Sequence, residues 1–126
     1  MSTNIIEINV NKAYENLKNN KNSYLIDVRT EDEWQSDGIP DTSNFSNELI
    51  KLTVTLPGGL ENPYFIENIQ NLKLNTNDHL YFICRSGVRS AMAANKLSFL
   101  GYKNLYNMIG GFSFGWLDQE YPHKKP

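Results

Sequence analysis

The sequence predicts an α/β domain, a mainly parallel central sheet with helices on both faces. Three observations carry that reading. Short apolar runs of strand length alternate along the chain with segments whose apolar residues recur at helical spacing. Helix-start signals sit between the runs: Thr30 with Glu33 three residues on, and Asn62 before Pro63. Finally, no internal repeat, low-complexity run or linker interrupts the alternation, so residues 1–126 are expected to form one domain. Strands joined through helices lie parallel, with right-handed crossovers that cover the sheet.

The elements follow in order. Ile6, Ile8 and Val10 alternate with polar residues and predict a first strand, with Asn11 as the cap of a helix bearing Ala13, Tyr14 and Leu17. Tyr24-Leu25-Ile26 ends at Asp27 and reads as a buried strand. Thr30 and Glu33 have the form of a capping box, so a helix begins just after Arg29. Pro40 and Asp41-Thr42-Ser43-Asn44 mark a loop, and Thr53 to Asn62, with Pro57-Gly58-Gly59, an extended surface loop. Asn62-Pro63 predicts an N-cap and first helical residue for a helix whose apolar face holds Phe65, Ile66, Ile69 and Leu72. Leu80 to Ile83 is a second buried strand. Val88, Ala91, Met92, Ala94 and Leu97 mark a helix stopped near Gly101. Leu105-Tyr106 predicts a last strand, Gly110-Gly111 a turn, and the segment around Trp116 a short helix.

Composition narrows the function. Forty per cent apolar and 21% charged residues are ordinary for a soluble globular protein. No segment reaches the ~20 apolar residues of a membrane span, so no membrane partner is expected. MSTNIIEINV lacks the basic and apolar regions of a secretory signal. That, with a single cysteine, points to a reducing cytoplasm. A net charge of −2 argues against general nucleic-acid binding. His79 and His123 read as surface residues, and Trp34 and Trp116 as core. Two scattered histidines and one cysteine suggest no metal site, and no cofactor is expected.

The three arginines are Arg29, Arg85 and Arg89, against nine lysines, and two of the three flank the only cysteine. Arg supplies a planar fork for oxyanions that Lys does not. Cys84-Arg85-Ser86-Gly87-Val88-Arg89-Ser90 lies between a buried strand and a helix, at the carboxyl edge where α/β sheets bind ligands. A strand-to-helix turn aims backbone N–H groups into a concavity, and the helix start adds partial positive charge. The same field favours the thiolate form of Cys84, which is the nucleophilic form. Gly87 permits a backbone conformation closed to other residues, and Ser86 and Ser90 can donate to sulfur or to an oxyanion. A cysteine after a strand is by itself an ordinary small core residue. Two cations, two hydroxyls and a glycine around it make a nucleophile the better reading.

This loop resembles the active-site loop of rhodanese-family sulfurtransferases, whose small single-domain members carry Cys-Arg-x-Gly-x-Arg-Ser. Leu25-Ile26-Asp27-Val28-Arg29 with Glu33-Trp34 and Ile39-Pro40 is similar to the family's upstream motif. Gly101-Tyr102, Leu105-Tyr106-Asn107-Met108 and Gly110-Gly111, with Trp116 beyond, are similar to its downstream motif. One departure is plain: where the family usually has Gly-His-Ile-Pro-Gly-Ala, this chain has Asp37-Gly38-Ile39-Pro40-Asp41-Thr42. The resemblance implies a three-layer rhodanese-like domain with a sheet of about five strands.

It also implies a double displacement. Cys84 takes sulfur from a small anionic donor such as thiosulfate, carries it as a persulfide, and passes it to cyanide or to a thiol or protein acceptor. Arg85, Ser86, Gly87, Val88, Arg89 and Ser90 are the expected substrate-binding loop. Asp27, Arg29 and Glu33 are its expected structural support, with Arg29 able to pair with Glu33. With no second cysteine, the sulfur must leave to an outside acceptor, and the Thr53 to Asn62 loop is expected to help select it. Two rival classes are a non-catalytic rhodanese-like binding or regulatory module and a cysteine phosphatase or arsenate reductase. Phosphatase loops place five residues between Cys and Arg; here four separate Cys84 from Arg89.

Overall fold

A computed structural model describes residues 3–126. Strand β1, Ile5–Ile8, opens the chain and helix α1, Val10–Asn19, follows. Val10 does not continue the strand; it is the first helical residue and is buried. The cap is Asn9, not Asn11: its backbone is extended and its side-chain oxygen accepts from the Lys12 N–H at 2.8 Å. Asn11 already lies inside the first turn, where a cap cannot act.

Next come β2 (Ser23–Asp27) and α2 (Glu31–Asp37), the latter with the expected capping box between Thr30 and Glu33. Strands β3 (Ile39–Pro40) and β4 (Ile50–Lys51) are two residues each, so Pro40 belongs to an edge strand rather than a loop. A proline is tolerated there because an edge strand can leave one N–H position unpaired. Helix α3 spans Phe65–Asn71 and starts two residues later than Pro63 implies. Asn62 spends its side-chain oxygen on the Tyr64 N–H at 3.0 Å, forming a turn before the helix. Leu72 falls past its end and is exposed.

Strand β5 (His79–Ile83), helix α4 (Val88–Leu97) and strand β6 (Asn104–Met108) follow. The segment around Trp116 is a π-helix, Gly111–Trp116. Strand β7, His123–Lys124, pairs antiparallel with β3, so β6 is not the last strand. The segment between β4 and α3 is not wholly superficial. Val54 is fully buried, and a Thr55–Glu61 bridge closes the tip.

The main sheet runs β1-β6-β5-β2-β4 and every pairing in it is parallel. Both faces are covered, which is why its central strands read as continuous apolar runs. On one face Ile26, Leu80, Phe82 and Leu105 pack with Phe65 and Ile69 of α3 and Ala93, Ala94 and Leu97 of α4. On the other, Leu25, Tyr81, Ile83 and Met108 pack with Val10, Ala13 and Leu17 of α1 and with Phe112 and Trp116. Successive residues of β5 thus feed opposite cores, as strand alternation requires. The expected α/β architecture with a five-strand parallel sheet is the one observed. Among the described residues no helix is long and apolar enough to cross a membrane.

Candidate active site

Cys84 is the first residue beyond β5, beside the carboxyl end of β2, and is 1% exposed. The chain then turns through Arg85 and Ser86, both exposed, to Gly87 at the start of α4. Gly87 has φ +111°, a region that favours glycine, and this turn brings its N–H to 3.0 Å from the Cys84 sulfur. α4 starts without a side-chain cap, so its first N–H groups remain directed toward the loop. Val88, the first helical residue, is 76% exposed. Ser90, one turn along, is buried with its Oγ 3.2 Å from Sγ.

The π-helix closes the loop from behind. Phe112 N–H donates to the Cys84 carbonyl at 2.7 Å and Ser113 N–H to the Arg85 carbonyl at 3.1 Å.

The three arginines have three different roles in the structure. Arg29 is wholly buried and binds Asp27, not Glu33: its Nη2 lies 2.8 Å from Asp27 Oδ2, and its Nε reaches Asp27 Oδ1 at 3.0 Å. Its Nη2 also donates to the Gly38 carbonyl at 2.8 Å, and its guanidinium lies 4.1 Å from the centre of the Phe112 ring. A buried charge needs a partner within reach, and the carboxylate two residues back supplies it. Glu33 points the other way. Its carboxylate takes both Arg89 Nη1 and Nη2, at 2.6 and 2.8 Å, in a two-pronged pair. Burial pushes the Glu33 carboxyl up, but hydrogen bonds from Arg89 and Thr30 and the charge of Arg89 outweigh it, leaving a pKa of about 2. Hydrogen bonding to Glu33 raises the Arg89 guanidinium above its ordinary value; burial opposes this, and Glu33, Cys84 and Asp27 add attraction. Arg85 has no ion pair among the described residues and lies over the Phe114 ring at 5.6 Å.

The structure therefore gathers Cys84, Gly87 and Ser90 around one sulfur and ties Arg89 to Glu33 beside it. Ser86 and Val88 lie on the exposed rim. Asp27 and Arg29 stand one layer beneath, and Gly38 has its own reason for being glycine. Its φ is +88°, its carbonyl serves Arg29, and a Cβ would stand 3.0 Å from the Lys124 carbonyl oxygen.

One residue near the site is not identifiable from the loop motif. Asn107, in β6, is 3% exposed and accepts from Ser90 Oγ at 2.5 Å. In the sequence it is marked only as a member of the downstream stretch Leu105-Tyr106-Asn107-Met108 and as a polar side chain among apolar ones, neither of which places it beside Cys84. His79 is half-buried rather than superficial, with its Nδ1 2.8 Å from the Tyr106 hydroxyl.

These features define a class of protein: an α/β domain with a cysteine at the carboxyl edge of its parallel sheet, sulfur against a backbone N–H and a helix start. Comparison with known proteins gives the family. The rhodanese-like domain profile matches residues 9–118, and the chain belongs to that family. A Rickettsia prowazekii protein is 40% identical over 116 residues, 88% of this chain and 90% of its own length. Thiosulfate sulfurtransferase 18 of Arabidopsis thaliana is 33% identical over 118 residues, 94% of this chain and 82% of its own. A crystal structure from M. tuberculosis superposes with a TM-score of 0.84 at 27% identity, covering 95% of this chain and 97% of that one.

Proposed function

We propose that the chain is a sulfurtransferase that carries sulfane sulfur on Cys84. The observation that carries this reading is the Gly87 N–H held 3.0 Å from Sγ, at the start of an uncapped helix. Such donors stabilise negative charge on sulfur without needing a general base. In the first step the Cys84 thiolate attacks the outer sulfur of thiosulfate or a similar anionic donor. The S–S bond of the donor breaks, sulfite leaves with the electron pair, and a Cys84 persulfide anion remains. In the second, an acceptor thiolate or cyanide attacks the terminal sulfur and regenerates the Cys84 thiolate. The 33% identity to a protein named thiosulfate sulfurtransferase supports that donor class.

In this proposal the two loop arginines do different work. Arg89 is occupied by Glu33, whereas Arg85 is exposed and free of ion pairs among the described residues. Arg85 is the residue assigned to the donor's anionic end, and Arg89 holds the loop and supplies charge beside the sulfur. Because Cys84 is 1% exposed, the reading includes an outward shift of the exposed loop side when a donor reaches Sγ.

Mass spectrometry after thiosulfate treatment is the test. One added sulfur is expected on the wild-type chain and none on Cys84→Ala. Arg85→Ala is expected to raise the thiosulfate concentration for half-maximal loading about tenfold, the loss of one charge-assisted contact. Folded wild-type protein that takes up no sulfur would end the proposal.

A further inference from the structure

We infer that Asn107 is a positioning residue for the nucleophile, one that competes with the Cys84 sulfur for the single proton of the Ser90 hydroxyl. The functional meaning of this rests on Cys84 acting as the nucleophile.

Asn107, Ser90, Cys84 and Gly87 form a closed chain of contacts in which each proton has one place. Asn107 Nδ2 faces two groups that offer only lone pairs, Glu7 Oε1 at 3.0 Å and the Gly87 carbonyl at 3.1 Å. The amide orientation is thereby set, and Oδ1 faces Ser90. Ser90 Oγ, 2.5 Å away, gives that oxygen its one hydrogen. On its other side the same Oγ lies 3.2 Å from Cys84 Sγ. With its hydrogen committed to Asn107, Ser90 can only accept across that contact. The thiol S–H fills it.

Removing the thiol proton changes the fit. In a thiolate, or in a persulfide whose inner sulfur carries no hydrogen, Sγ has nothing to donate, and two lone pairs face each other. The contact becomes attractive again only when the Ser90 hydroxyl turns and donates to Sγ. Turning takes the hydrogen away from Asn107 Oδ1, which is buried and loses its donor. One hydrogen atom thus links the charge on Cys84 to the hydrogen bonding of β6.

The groups around Cys84 come from every neighbouring element. The loop brings Arg85 and the Gly87 N–H, and α4 brings Arg89 and Ser90. The end of β2 brings Asp27 and its Arg29 partner, with Glu33 of α2 behind Arg89. Glu7 of β1 acts through Asn107, and the π-helix contributes no titratable side chain. Replacing Asn107 removes bonds to Ser90, Glu7 and Gly87; only the first depends on the Ser90 hydroxyl. That separates a positioning role from a merely structural one.

The experiment is the pH profile of Cys84 alkylation by iodoacetamide on the full chain, in Asn107→Leu, Ser90→Ala and the double variant. In the Ser90 background, Asn107→Leu is expected to lower the pH midpoint by about one unit, a tenfold change from one hydrogen bond released to the sulfur. In the Ser90→Ala background the same replacement is expected to move it by less than about 0.3 unit. Asn107→Ala, with the same expected signs, serves where circular dichroism shows that Leu at this position disturbs the fold. An upward shift, no shift, or an equal shift in both backgrounds overturns the inference. Alkylation needs no sulfur donor, so this result and the persulfide test fail independently.

Discussion

Glu33 joins two parts of the chain that no local rule connects. It completes the capping box of α2 and, with the same carboxylate, grips Arg89 of α4 from 56 positions away in the chain. Its pKa of about 2 lies below the ordinary 4.5. A depressed carboxylate contributes stability that is complete above the unfolded-state value and disappears as pH falls through the folded one. The window is therefore about pH 4.5 down to about 2. Because both side chains keep partial exposure, the contribution is put at about 1–2 kcal/mol rather than the full shift. Urea denaturation at pH 6 and pH 3 checks it. Glu33→Gln is expected to lose that much stability relative to wild type at pH 6 and less than half of it at pH 3. An equal difference at both values would mean that the ion pair does not contribute as argued.

At the scale of elements, the π-helix is the part of the site that the sequence conceals. Gly110-Gly111 reads as a turn; the turn is Ile109 and Gly110, while Gly111 opens the π-helix, and the reason for this second glycine is tertiary. At φ +59°, a Cβ on Gly111 would overlap the Cys84 carbonyl oxygen and stand 2.8 Å from the carbonyl carbon and oxygen of Arg85. Gly111→Ala is expected to destabilise the fold by about 2–4 kcal/mol, since backbone rather than a flexible side chain must yield. It is also expected to abolish persulfide formation by displacing the Cys84 loop. Denaturation and mass spectrometry of the same sample read both effects; a stable, fully loading variant would refute the packing argument. What could be foreseen follows from what is local. The alternation of strands and helices, the Thr30–Glu33 box and the placement of Cys84 after β5 all depend on neighbours in sequence. Asn9 replaced Asn11 as cap because Val10 satisfies strand alternation and helix burial equally well. The Glu33–Arg89 partnership, and Asn107 beside Ser90, depend on where the sheet order β1-β6-β5-β2-β4 brings distant strands and helices, and no spacing rule reports that. Arg29 has carboxylates within local reach on both sides, and only its buried packing selects Asp27 over Glu33.

Across the whole molecule, the last residues lock the side of the site opposite the loop. Strand β7 pairs Lys124 with Ile39 and His123 with Pro40. The Pro122 carbonyl accepts from the Asp41 N–H at 2.9 Å and from the indole Nε1 of fully buried Trp116 at 2.8 Å. Gly38, which gives its carbonyl to Arg29, is pressed against the Lys124 backbone. The tail therefore fixes the β3 segment, the residue before β3 gives Arg29 Nη2 an acceptor, and Arg29 sits against Phe112 under the Cys84 loop. Deleting residues 122–126 leaves the Trp116 N–H without its acceptor and removes one strand of the small sheet. An unpaired buried donor alone costs about 1–3 kcal/mol. For a domain of this size that corresponds to a fall in Tm of about 4–11 °C. Calorimetry on the shortened chain measures this directly, and Trp116→Phe in the same chain separates the contributions. Phe has no N–H to leave unpaired, so the deletion should lower Tm less with Phe at this position. Equal losses in both chains would assign the tail's stabilisation to β3–β7 pairing and not to the indole.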